Sequence, residues 1–305
     1  MLARKNWGRV FSLFAIIPVL SHSIPFPVQH IGTSALFVWD SSIPGNELET
    51  NRLLQFAASR GINTLFLEAS PVGYEQAGSI PRFTGFVDAA RGAGIAVYAL
   101  SGYPWWTTAC GDGIPGQDSC FEEGWSVYQN IASSGIPFEG IVDDSEPYLA
   151  NEADWWSRPA ERAQDYLDYL RGIRSRIGGM IFQTTIPFWY DEDARLLLSL
   201  DGEANSHPLN WYASRIVDRV VVMDYRDRAR GQDGILSHIQ GEAQTGPFLL
   251  AVETNCGLED KITFCEEGSA AMKSEMQTVS RRLRSQPNFR GFAIHDYFGL
   301  ENLPE

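Results

Sequence analysis

The stretch Gly140-Ile-Val-Asp-Asp-Ser-Glu-Pro-Tyr148 runs an apolar segment straight into three acids within four positions, Asp143, Asp144 and Glu146. Like charges this close repel and raise one another's pKa. A fold gains nothing from that, but a catalytic acid can. Hydrolysis of a glycosidic bond needs one protonated acid to assist the leaving oxygen and one negative group to stabilise an oxocarbenium-like transition state. In an extended segment Val142, Asp144 and Glu146 share one face, and Asp143 and Ser145 share the other. A carboxylate at Asp144 would then raise the pKa of Glu146 and keep it protonated as a general acid.

The elements that must position these acids recur along the chain. Eight runs are rich in Val, Ile, Phe, Leu and Tyr and mostly unbroken by charge: 35–40, 63–69, 94–102, 138–146, 178–187, 218–227, 247–255 and 289–297. They read as buried parallel strands. Helical patterns lie between them. The segment ELETNRLLQFAASRG places Leu53, Leu54, Ala57 and Ala58 on one face and closes on Gly61. ERAQDYLDYLRGIRSRIGG and SAAMKSEMQTVSRRLRSQ behave likewise, and 82–93, 122–134, 207–216 and 231–244 have helical length. Alternation of this kind predicts a (β/α)8 (TIM) barrel, which takes about 250 residues. Few residues follow the eighth run, so the eighth helix is expected to be short or absent. A doubly wound open sheet is the alternative, but it would want a Gly-rich phosphate loop after an early strand, and the sequence has none.

In such a barrel the site lies at the C-terminal ends of the strands. Those ends carry Trp39-Asp40, Glu68, the Asp143/Asp144/Glu146 group, Asp224-Tyr225 with Asp227, Glu253, and His295-Asp296-Tyr297. One acid at a strand end could merely cap the next helix; acids from six strands on one rim point to a site. The same rim is aromatic, with Trp105-Trp106, Trp155-Trp156 and Phe188-Trp189-Tyr190. A single Trp is often core, yet adjacent pairs cannot all point into one core. Aromatic faces flanked by carboxylates suit a sugar. The candidate catalytic residues are Glu146 as acid, Asp144 as its partner, and Tyr225 and Asp224 to position the reacting sugar. Strand parity makes the last two compete. Asp40, Glu68, Glu253 and His295 are candidate substrate contacts, and Trp39, Trp105 and Trp189 candidate stacking platforms.

The segment FEGIVDDSEPY resembles the strand-four signature FDGxDxDxE of family 18 glycoside hydrolases, the chitinase-like barrels, with Phe138, Gly140, Asp144 and Glu146 in place. DRVVVMDYRD is similar to that family's strand-six segment at Asp218, Met223 and Tyr225. The resemblance implies that Glu146 donates the proton while the substrate's own N-acetyl carbonyl attacks, supported by Asp144 and Tyr225. The chain departs from the pattern at Val142, where the family has the first Asp of its set, at Arg226, where it has Asp, and near His295, where it ends strand eight on Trp. Two other readings stand beside it. A pair of Glu146 as acid/base and Glu253 as nucleophile resembles the large retaining-glycosidase clan, although Ser145 replaces the Asn usual before the acid. A barrel that binds carbohydrate without cleaving it, like a lectin, is the non-enzymatic alternative.

Charge and address complete the reading. Arg4, Lys5 and Arg9 precede an apolar run from Val10 to Leu20, the layout of a secretory signal peptide. The run is shorter than the about 20 residues that span a bilayer. Residues 1–23 are expected to be removed on export, leaving 24–305 as one secreted domain. The formal net charge of −14 then becomes more negative by the three basic residues lost. Nucleic acid and anionic membranes need a basic patch and are excluded as partners; an oligo- or polysaccharide is the expected one, bound by a monomer. The four cysteines form two local groups, and Cys110–Cys120 with Cys256–Cys265 is the pairing that closes short loops. Zinc spacing is tighter and wants nearby histidines. No cofactor is expected, since no nucleotide or HExxH motif is present, and no metal site is assigned, although the acidic rim leaves an oxygen-liganded Ca²⁺ or Mg²⁺ open.

Overall fold

The computed structural model describes residues 32–305. The expected leader, 1–23, lies outside them. Eight parallel strands close into a barrel: β1 (Thr33–Val38), β2 (Thr64–Glu68), β3 (Ala96–Ser101), β4 (Gly140–Asp143), β5 (Ile181–Pro187), β6 (Arg219–Met223), β7 (Phe248–Glu253) and β8 (Phe289–His295). Each pairs with its sequence neighbour, and β1 closes the ring against β8, with Ala35 beside Ala293 and Leu36 beside Ile294. The expected (β/α)8 fold is present.

Alternation along the strands divides the core in two. Ala35, Phe37, Phe66, Tyr98, Leu100, Val142, Val221, Leu249, Ala251 and Ala293 fill the lumen. The intervening residues, such as Leu36, Leu65, Val97, Ile141 and Val220, pack outward against the helices. This parity decides which strand-end residues reach the mouth. Gly140 opens β4 because a side chain there would meet the Ile181 carbonyl oxygen at 2.2 Å and the Tyr98 ring at 2.8 Å.

The principal helices are α1 (Glu47–Arg60), α2 (Ser79–Gly92), α3 (Phe121–Ser133), α4 (Pro159–Arg174), α5 (Leu209–Ala213), α6 (Gly268–Leu283) and α7 (Tyr297–Asn302). Helix α1 starts where the Asn46 side chain accepts from the Glu49 N–H and ends on Gly61 in the left-handed conformation. Its buried face is Thr50, Leu53, Leu54 and Ala57. Ala58, expected on that face, is exposed instead. The eighth helix is short, as expected: α7 has six residues, capped by the Asp296 carboxylate accepting from Gly299 N–H.

Two helical expectations need correction. The segment 207–216 holds only α5, because His207–Pro208 pairs with Leu197–Leu198 in a small antiparallel ladder. The segment 231–244 forms two separate turns, Ile235–His238 and Glu242–Thr245. Gly241 stands between them, where a side chain would collide with the Asp191 carboxylate.

Both expected disulfides form, Cys110–Cys120 and Cys256–Cys265. They close loops after β3 and β7, at the C-terminal end of the barrel. The first loop is also fixed by charge: Tyr103 Oη donates to Asp118, and Asp112 lies 2.6 Å from the buried Arg162 guanidinium.

Candidate active site

The three acids of the strand-four segment separate by parity. β4 ends at Asp143, so Asp144 and Glu146 stand above the last rung of the ladder. Asp143 turns outward and is fully buried. Its Oδ1 accepts from Tyr128 Oη at 2.8 Å, Tyr169 Oη at 2.9 Å and Ser145 Oγ at 2.8 Å, and its Oδ2 from Thr184 Oγ1 at 3.2 Å. Burial outweighs these four donors, and its pKa is pushed up to about 6. Asp143 is a packed polar core residue that holds the strand-four loop onto α3, α4 and β5.

Asp144 turns inward. Its backbone N–H donates to the Ser101 carbonyl at 2.8 Å. The chain approaches so closely here that a side chain on Gly102 would lie 2.3 Å from the Asp144 carbonyl carbon. Asp144 Oδ1 accepts from Thr185 Oγ1, the residue beside it on β5. Glu146 follows on the same face, and Tyr148 Oη donates to its Oε2. Burial first, and then the charge of Glu146, push the Asp144 pKa up to about 8. Burial also raises Glu146, while the Tyr148 hydrogen bond and His295 oppose it. Two such carboxyls titrate together. The expectation that Asp144 keeps a proton at Glu146 becomes a statement about burial, which is the largest cause for both residues; the partner's charge is a second cause at Asp144.

A second constellation spans β1, β7 and β8. Trp39 Nε1 donates to His295 Nε2 at 3.0 Å, and His295 Nδ1 meets Glu253 Oε2 at 2.8 Å. An indole N–H can only donate, so Nε2 accepts and the proton of the neutral ring sits on Nδ1. Burial lowers the His295 pKa, but the Glu253 contact and the nearby acids outweigh it and the net shift is upward. Protonation of His295 would therefore displace Trp39. Glu253 is 3% exposed. Its Oε1 accepts from Thr254 N, Asn255 N and Asn255 Nδ2. Burial pushes its pKa upward, yet these donors and His295 bring it below the usual carboxylate value. Glu253, expected as a substrate contact, stands behind His295 with its acceptor positions filled, which does not favour the Glu146/Glu253 nucleophilic pair.

The competition on strand six is resolved in favour of Tyr225. Its ring packs on the lumen layer and lies 5.9 Å from His295. Burial first, and then Asp144, Glu253 and Glu146, hold its hydroxyl pKa well above the ordinary value. Asp224 faces the opposite way, fully buried, with neither carboxylate oxygen paired to a protein group. Its pKa is pushed up to about 7 by burial, against His238 and Arg226. It lies outside the mouth, contrary to its place among the catalytic candidates. Arg226, the departure from the family-18 pattern, turns to the rim: Nε donates to Asp233 at 2.8 Å and the guanidinium covers the Phe188 ring. Val142, another of the three departures, fills the lumen.

The aromatic pairs divide one in, one out. Trp106, Trp155 and Tyr190 are buried, and Trp155 stacks on Tyr190. Their neighbours Trp105, Trp156 and Trp189 are partly exposed. Trp156 lies under the Arg195 guanidinium at 3.5 Å. Trp39 stacks above Phe37. Glu68 shares the inward parity of Phe66, accepts from Ser70 N–H at 2.7 Å, and has a pKa raised mainly by burial. Asp40 is exposed and accepts from Ser42 N–H at 2.9 Å, a local turn contact. Sequence reasoning missed Thr185 and Tyr148. The register of β5 against β4 could have found Thr185, and the two-residue spacing from Glu146 could have found Tyr148. Among the described residues, the one cluster of metal-capable atoms close enough to share an ion is Cys110, Cys120 and Glu122, and its sulfurs are joined in the disulfide.

No family model and no curated protein matches the sequence. Solved structures do match the fold. The spore cortex-lytic enzyme SleL of Bacillus cereus aligns with a TM-score of 0.51 at 12% identity, covering 89% of this chain and 72% of that one. A D-psicose 3-epimerase solved in the presence of D-fructose aligns at 0.51 and 10% identity, covering 90% of both chains. A Cycas revoluta class V chitinase mutant in complex with (GlcNAc)3 gives 0.47 at 12% identity, covering 87% and 94%. The resemblance to family 18 barrels is thus a remote one, and at these identities the likeness establishes the barrel alone.

Proposed function

We propose that this protein is a secreted glycoside hydrolase in which Glu146 is the general acid and Asp144 the charge that supports the developing cation. The observation that carries this reading is the buried Asp144–Glu146 pair at the barrel mouth, both pKa values raised by burial, under a rim of aromatic faces. In the reactive microstate Glu146 holds a proton and Asp144 the negative charge. Glu146 passes the proton to the glycosidic oxygen as the bond from that oxygen to the anomeric carbon breaks. The bonding pair leaves with the oxygen, and positive charge develops on the sugar ring, where Asp144 stabilises it. Water supplies the incoming hydroxyl in the overall hydrolysis, and its remaining proton restores Glu146 to the acid form. Thr185 fixes Asp144, and Trp39, Tyr225 and Trp189 offer faces for the sugar. Export is supported by the leader pattern of the sequence and by the two disulfides. Among the described residues no helix is long and apolar enough to cross a membrane.

The test is a panel of neutral, amino and anionic glycans incubated with the purified protein and with Glu146→Gln. Release of reducing ends by the unmodified protein alone supports the reading and names the substrate class. Binding by both proteins without cleavage would instead make this a lectin-like barrel.

A further inference from the structure

The turn Pro147–Ala150 begins immediately after Glu146, and Pro147 at its first position fixes the direction in which the chain leaves the acid. Tyr148, the next residue, folds back so that its hydroxyl donates to Glu146 Oε2. Its ring is held from the other side. Trp189 meets it edge to face with centroids 5.0 Å apart, and Trp189 is itself braced by Tyr190 at 5.0 Å and Trp156 at 5.5 Å. A phenol wedged in this way has little rotamer freedom left to lose, so the contact is a fixed feature of the site. Burial and the charges of Glu146 and Asp144 hold the Tyr148 hydroxyl far above its ordinary pKa, so it remains a donor at every working pH.

A carboxylic acid has two oxygens and one proton. When a phenol donates to one oxygen, the proton belongs on the other. We propose that Tyr148 is a positioning residue for the reaction: by occupying Oε2 of Glu146 it leaves Oε1 as the atom that delivers the proton. The inference rests on Glu146 as general acid. It has a second consequence, because a donor on Oε2 also favours the ionised carboxylate. The hydroxyl therefore opposes the upward pull of burial and holds the acid nearer its working pH.

Tyr148→Phe removes the hydroxyl and keeps the ring against Trp189. Two measurements decide the matter. In protein labelled with carbon-13 at the glutamate carboxyls, the Glu146 signal is identified by its loss in Glu146→Gln and followed through a pH titration. Separately, kcat and KM are measured across pH on the glycan that the panel identifies. The expected result is an upward move of the Glu146 midpoint in Tyr148→Phe, with kcat down about tenfold, the loss of one hydrogen bond to a charged group. KM should stay within about twofold, and the alkaline limb of kcat/KM should move to higher pH. An unchanged or lowered midpoint overturns the proposal. So does a raised KM at unchanged kcat, which would make Tyr148 a sugar contact. If the unmodified protein cleaves nothing while the midpoint still moves upward, the hydrolase reading fails and the hold of Tyr148 on Glu146 stands.

Discussion

Replacing Asp143 by Asn tests the division of labour among the three acids. Asp143 is fully buried, and its folded pKa is about 6 against an ordinary 3.8. The sign follows from linkage. A raised pKa means that the folded state binds the proton more tightly than the unfolded state. Stability is therefore highest below the unfolded value and is lost as pH rises through about 6. A rise of about two pH units at about 1.36 kcal/mol each amounts to roughly 3 kcal/mol. Asn mimics the protonated acid: its carbonyl can accept from Tyr128, Tyr169 and Ser145, and its amide can donate to Thr184, whose hydroxyl can keep its bond to the Thr185 carbonyl. Denaturant unfolding of both proteins from pH 4 to pH 7.5 follows this group, because titrations that do not feel the Asp143 charge cancel in the difference. The variant should gain on the unmodified protein by about 3 kcal/mol across that range, with turnover preserved. A constant difference, or one that moves the other way, would refute the reasoning. So would loss of turnover in a correctly folded Asp143→Asn protein.

Four further outcomes are expected. Glu253→Gln should lower the His295 pKa, read from imidazole NMR signals, because Glu253 is the main group that raises it. Since that raised value favours folding below about 6.5 and the benefit fades as pH climbs through the folded pKa, Glu253→Gln should lose more stability at pH 5 than at pH 8. Acidification should also change the fluorescence of Trp39 as His295 protonates and stops accepting its N–H, a change that Trp39→Phe abolishes. Opening the Cys110–Cys120 loop with paired serine substitutions should cost about 3 kcal/mol by the chain-entropy account for so short a loop, measured by thermal or denaturant unfolding. Asp224→Asn should leave turnover intact and raise stability above pH 7, since the native carboxylate is buried without protein partners.

The barrel was legible because the eight strands are rich in Val, Ile, Leu, Phe and Tyr and mostly unbroken by charge, as a sheet buried on both faces requires. The disulfides were legible because each pair sits about ten residues apart. Parity placed Asp144 and Glu146 together and set Asp143 apart, before any contact was visible. What was not legible depends on where a strand stops. The sequence does not say that β6 ends at Met223, so Asp224 and Tyr225 stayed in competition until the fold turned one outward. Nor does it say that Glu253 would be walled off by Thr254 and Asn255, because two of the three donors on its Oε1 are backbone groups of the loop that follows. The helix expected at 231–244 failed at Gly241, where the Asp191 carboxylate takes the space of a side chain. In each adjacent aromatic set, which ring is exposed depends on short helical turns at 104–107, 152–157 and 188–190 that carry no periodic signal.

The most direct test of Glu146 as general acid compares two leaving groups. Glu146→Gln would be assayed on the natural glycan and on an aryl glycoside of the same sugar whose phenolate leaves without a proton. General acid catalysis contributes about 10²- to 10⁴-fold. The account predicts a loss of at least about 100-fold on the glycan and a far smaller loss on the activated glycoside. An equal loss on both substrates, or full activity on the glycan, would contradict it.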